Sequence, residues 1–128
     1  MGCAPAAAQP PSKCAKPVDC FVEFSQAAFG LCQIAGQMGF GRPRKQAPNP
    51  DLTCIDQTVK TVEGMYAEAA AKTPPGPKTE RLKDYYAAFR SAMNGIRSQF
   101  DESFISYRYR QQESTKLLDA KAERLILD

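Results

Sequence analysis

Most of the reactive chemistry in this chain belongs to five cysteines, Cys3, Cys14, Cys20, Cys32 and Cys54, all within its first 54 residues. Thiols oxidise to disulfides, hold metals or act as nucleophiles. Five, eleven and twenty-one residues separate the last four, no C-x-x-C occurs and the sequence has no histidine, a pattern unlike any zinc site. Without histidine the chain also lacks the commonest general base, so Cys-His nucleophiles and Ser-His-Asp triads cannot form within it. Asp101-Glu102 and Glu80/Asp84 are carboxylate pairs of the type used in acid/base work. They are interleaved with Arg81, Lys83 and Arg97, the pattern of a solvated helix face. No catalytic residue, cofactor loop or metal site is assigned, and disulfide formation is the chemistry left to the thiols.

The elements that position those thiols are read from apolar spacing. Residues 1–18, MGCAPAAAQPPSKCAKPV, hold four prolines without apolar periodicity and read as a disordered Pro/Ala-rich tether. Residues 19–128 are the helical bundle domain. Asp19 is placed to cap a first helix whose stripe Phe21, Phe24, Ala28, Leu31, Ala35, Met38 steps by three and four, as a heptad does. Gly36, Gly39 and Gly41 weaken it and Pro43 forbids its continuation. Asn49-Pro50-Asp51 is a cap, a first-turn proline and an acid at the positive end of the dipole. It starts a second helix with the stripe Leu52, Ile55, Val59, Val62, Tyr66, Ala69, which the run Thr73-Pro74-Pro75-Gly76-Pro77 stops.

A third stripe, Leu82, Tyr86, Phe89, Met93, Ile96, Phe100, Phe104, Tyr107, opens near Thr79 and keeps its register across Asn94-Gly95, which predicts one helix with a weak point there. The stripe lapses over 108–114 and resumes with Leu117, Leu118, Ala122, Leu125, Ile126 and Leu127. A continuous helix over 79–127 would be about 73 Å long, against roughly 30 Å for its neighbours, so its end overhangs, kinks back, packs on another chain or forms a short fourth helix. The predicted fold is all-α: a three-helix up-down-up bundle with a long third helix that kinks or continues into a fourth.

In that frame Cys32 lies about two turns before the end of the first helix and Cys54 about one turn into the second, so one bridge staples the hairpin. It closes a loop of about 23 residues, worth roughly 3 kcal/mol by chain entropy. Two buried reduced cysteines are the alternative. For Cys14 and Cys20 a mutual bridge is the simplest second pairing among the three that four cysteines allow. Two bridges imply an oxidising compartment and leave Cys3 unpaired.

Gly2-Cys3 followed by Ala4-Pro5-Ala6-Ala7-Ala8-Gln9-Pro10-Pro11-Ser12-Lys13 resembles the start of a mature bacterial lipoprotein, a small residue and the acylated Cys before a Pro/Ala tether. The resemblance covers about a dozen residues. It implies lipidation at Cys3, with Ala4 after it implying outer-membrane delivery from the periplasm. Met1-Gly2-Cys3 also resembles a myristoyl plus palmitoyl signal, from which Ala6 departs and which would leave the other thiols in a reducing cytosol.

A net charge of +3, all of it from residues 1–50, falls short of a nucleic-acid footprint, and Arg42, Arg44 and Lys45 sit in a Pro-rich loop that reads as a solvated connector. No run approaches the roughly 20 apolar residues of a membrane span. Tyr107-Arg108-Tyr109-Arg110, where the stripe lapses, and Leu118 and Leu125 beyond it are the candidate surface for a protein partner. The expected protein is therefore a non-enzymatic helical lipoprotein, held to the membrane by its lipid alone and acting as an assembly or accessory factor. A structural subunit in an oxidising organelle space and a carrier of a small apolar ligand are the alternatives.

Overall fold

The computed structural model describes residues 14–40, 50–99 and 101–127, the side chains of residues 50 and 51 excepted. Cys3, the Arg42, Arg44 and Lys45 cluster, the Asn49 cap, the Asp51 side chain and Phe100 lie outside the described residues. Four helices and no strand make up what is described: α1 (Pro17–Gly39), α2 (Pro50–Lys72), α3 (Pro77–Asn94) and α4 (Phe104–Ile126). All three of α1, α2 and α3 open on a proline, whose fixed φ suits the first helical position and whose missing N–H costs nothing there. Helix α1 therefore begins two residues earlier than expected, and Asp19 lies inside its first turn instead of capping it.

The chain runs up-down-up-down. Cys32 meets Cys54 and Phe21 meets Tyr66, so α1 and α2 are antiparallel. Gln26 bonds Asp119 and Gln33 bonds Gln111, so α1 and α4 are antiparallel too. Helix α1 packs on all three others, while the backbones of α2 and α4 make no close approach among the described residues. That central position explains why α1 buries Val22, Ser25, Phe29, Cys32 and Gly36 in addition to Phe21, Phe24, Ala28 and Ala35 from the expected stripe. Met38, counted with the stripe, is 62% exposed, because the buried arc of α1 turns away from it near the helix end.

The expected single helix across residues 79–107 is overturned. Helix α3 ends at Asn94, and a connection over 95–103 reverses the chain into α4. The register had survived the break because both helices contribute to one core: Phe89, Met93 and Ile96 from one side and Tyr107 from the other are fully buried. Three features make the turn. Gly95 supplies a poor helix residue at the exit, Asp101 takes a left-handed φ of 64°, and Ser103 caps α4 by accepting a hydrogen bond from the Ser106 N–H at 3.1 Å.

The core is aromatic at one level. The Phe21 ring touches Tyr66, Tyr85 and Tyr86, and Tyr66 stacks on Tyr86 with centroids 4.1 Å apart. The Tyr85 and Ser25 hydroxyls share a hydrogen bond at 2.5 Å and both reach the Val22 carbonyl, at 3.5 and 3.1 Å, so both buried hydroxyls are satisfied. Burial pushes the Tyr85 hydroxyl well above its usual pKa, and it stays a neutral donor.

Candidate functional site

Two disulfides tie the thiols as the spacing suggested: Cys32 to Cys54 with Cα atoms 5.5 Å apart, and Cys14 to Cys20 at 6.2 Å. The first is deep, with Cys32 and Cys54 almost wholly buried and the Thr58 hydroxyl 3.4 Å from the Cys32 sulfur. The second is half-buried and closes over the first turn of α1. Both bridges carry one end on α1, so the central helix is fixed at its start and toward its finish.

The segment chosen from sequence as a partner surface divides in two. Tyr107, Leu118 and Leu125 are core residues, buried to 1% exposure or less, and are removed from that surface. Their apolar faces, read as an unpartnered tail, are covered by the helices that α4 folds back upon. Arg110 is also removed. Its Nε and Nη2 donate to the two Glu102 carboxylate oxygens at 2.9 Å each, and its remaining donors reach the Gly95 carbonyl at 2.6 Å and the Arg97 carbonyl at 3.0 Å. The Gln111 amide donates to the same Gly95 carbonyl at 2.6 Å, and the Tyr107 hydroxyl to the Ile96 carbonyl at 2.5 Å. Side chains of α4 thus satisfy backbone acceptors of the connection that follows α3. The Arg110 guanidinium holds the Glu102 carboxyl below its usual pKa, and the Arg110 value is raised in return.

Of the residues read as a partner surface, Arg108 and Tyr109 remain exposed, and Ile105 and Phe104 are exposed one turn earlier on α4. Ile105 is 83% and Tyr109 65% exposed. The two lie four residues apart on one helix face and, with Ser106 and Glu113, line an open groove of about 550 Å³. A second, polar groove between α1 and α4 is lined by Gln33, Gln37, Arg108, Gln112 and Lys116, and is braced by the Gln33 amide bonding Gln111 at 3.2 Å and Thr115 at 3.1 Å. Ile105 escaped the sequence reading because it lay outside the heptad stripe, and a lone apolar residue off-stripe carries no signal by itself.

No group of three or more potential metal ligands is gathered among the described residues, and no helix there is long and apolar enough to cross a membrane. The fold and this surface define a disulfide-stapled four-helix bundle with an exposed aromatic corner. No family model, no curated protein and no solved structure matches the chain.

Proposed function

We propose that this protein is a non-catalytic helical lipoprotein, tethered by Cys3 in the bacterial envelope, that serves as an assembly or accessory factor by presenting the exposed face of α4 to a protein partner. The observation that carries the reading is the contrast within α4: its inner face is locked by core packing and the Arg110 hub, while Ile105 and Tyr109 stand in solvent at the end of the bundle opposite the point where the tether enters. Large apolar and aromatic side chains beside an arginine are the residues that anchor protein interfaces. Two disulfides fit an oxidising compartment.

Intact mass of the protein from its native source, before and after reduction and alkylation, tests the anchor and the compartment. The expected species begins at an acylated Cys3 and gains four alkyl groups only after reduction. An unmodified Cys3 with four free thiols refutes the reading. For the surface, a photo-crosslinker at position 109 should trap one defined partner that the same group at Lys60, on the far side of α2, does not; equal labelling from both positions removes α4 as the contact.

A further inference from the structure

At the tether end of the bundle, the start of α1, the end of α2 and the start of α3 surround a cleft of about 460 Å³ lined by Lys16, Lys72 and Lys78, with Asp19 as its one acid and Ile126 of α4 at its edge. Lys16 and Lys78 make no ion pair among the described residues, and Lys72 bonds Glu68 one turn up α2 at 3.0 Å. Residues 14–19, 69–84 and 121–127, which build this end, hold seven Lys or Arg against four Asp or Glu, with Asp84 paired to Lys121 at 2.6 Å. Two helix N-termini lie beside two helix C-termini here, so the macrodipoles largely cancel and the side chains set the field. Ile126 and Leu127, 45% and 75% exposed, add apolar surface next to the cations. Lysines flanking exposed aliphatic side chains is the composition of a surface that rests on a lipid interface.

We infer that this end of the bundle, centred on Lys16, Lys72 and Lys78, is a docking surface for anionic lipid headgroups. The inference deepens the tethering proposed above and rests on it for orientation. Ten residues separate Cys3 from Cys14, a reach of at most about 40 Å when fully extended, and the chain enters the fold at Cys14, beside the lysines. A chain held at Cys3 therefore presents this end to the membrane before any other. Lysines near an anionic surface each contribute about a fivefold gain in binding, lost as salt screens them.

The test uses the full 128-residue chain with Cys3→Ser, so that no lipid contributes, in co-sedimentation with phosphatidylcholine vesicles with and without phosphatidylglycerol. Binding is expected only to the anionic vesicles and is expected to fall between about 0.1 M and about 1 M salt, as the Debye length shrinks from about 10 to about 3 Å. Lys16→Gln, Lys72→Gln and Lys78→Gln combined should weaken it by about a hundredfold. Lys60→Gln with Lys116→Gln, at mid-bundle, should leave it within about twofold; helical circular dichroism shows that each variant is folded. No binding to anionic vesicles, or equal losses in both variants, overturns the inference. Because the vesicle test needs no acylation and the native mass test needs no docking, failure of one is distinguishable from failure of the other.

Discussion

Gly36 of α1 faces both Tyr107 of α4 and Ile96 of the connection after α3, and replacing it with alanine tests that packing directly. A Cβ built there meets the Tyr107 hydroxyl at 2.5 Å, the Ile96 Cγ2 at 2.7 Å and the Ile96 carbonyl at 3.1 Å. No alanine methyl fits without moving both the Tyr107 hydroxyl, which bonds the Ile96 carbonyl, and the Ile96 side chain. Overpacking of this kind costs about 1–3 kcal/mol, and weakening a buried hydrogen bond adds about 1 kcal/mol. Against this, alanine in a helix interior gains about 1 kcal/mol over glycine. The net expectation for Gly36→Ala is a loss of about 1–3 kcal/mol. Gly30 and Gly64 are the internal controls, since a Cβ at either meets nothing within 4 Å, so the same substitution should stabilise by about 0.5–1 kcal/mol at each. Urea unfolding followed by circular dichroism, with both disulfides oxidised and m-values compared, reads all three. In the Gly36→Ala background, Tyr107→Phe should recover part of the loss, because the hydroxyl is the nearest clashing atom. A Gly36→Ala variant as stable as the parent would refute the seating of α4 against α1 and with it the folded-back path of the C-terminal helix.

Glu102→Gln should cost about 1–2 kcal/mol by removing the doubly bonded carboxylate, 7% exposed, that Arg110 holds. Since the Glu102 pKa is lowered from its ordinary 4.5, the stability it contributes is present above that value and drains as pH falls through the lowered folded pKa; an acid titration of the parent should show the loss and the variant should lack it. Graded reductant should open Cys14–Cys20 first, because Cys32 and Cys54 are almost wholly buried, and mass spectrometry after quenched alkylation should find the mixed species; simultaneous opening would contradict the packing around Cys32. Loss of Cys32–Cys54, a 22-residue separation, should cost about 3 kcal/mol in the same urea assay. The Tyr86 hydroxyl is buried without a hydrogen-bond partner among the described residues, so Tyr86→Phe should be neutral or stabilising by up to about 1 kcal/mol, and a clear loss would mean that the hydroxyl has a partner.

Helices α1 and α2 are legible because their signals are local: a three-four stripe in each, the Asn49-Pro50-Asp51 start of α2 and the Thr73-Pro74-Pro75-Gly76-Pro77 run that stops it, whereas Pro17, which opens α1, reads with the tether. The Cys32–Cys54 bridge followed from those two helices alone. The turn between α3 and α4 was not legible in the stripe. Apolar register records which residues reach the core, and Ile96 and Tyr107 reach the same core from opposite sides of a chain reversal. The local signals for the break were Gly95 and Ser103, and a serine followed three residues later by Ser106 is a weaker cap signature than one followed by Glu or Gln. Tyr107, Leu118 and Leu125 belong to the core and not to a partner surface for the same reason, since only the reversal after α3 gives α4 an inner face. Arg110 could not be assigned from sequence, because its acceptors, the Glu102 carboxylate and the Gly95 and Arg97 carbonyls, are brought to it only by the chain reversal after α3.

The two ends of α1 set the scale on which the proposed roles are separable. Its 23 residues span about 34 Å at 1.5 Å per residue, and both disulfides tie to it, one in its first turn at Cys20 and one about two turns before its end at Cys32. The lysine end and the Ile105–Tyr109 face are therefore held at a fixed separation by the central helix, and the Cys14–Cys20 loop fixes where the tether leaves it. With the lysine end resting on headgroups, the α4 face stands roughly one helix length from the lipid; with the tether merely extended, it stands up to about 40 Å further out. A reporter on Tyr109 measured against a membrane-surface probe distinguishes these heights, and the short distance should lengthen when Lys16, Lys72 and Lys78 are neutralised. If it stays unchanged, the lysines do not set the height.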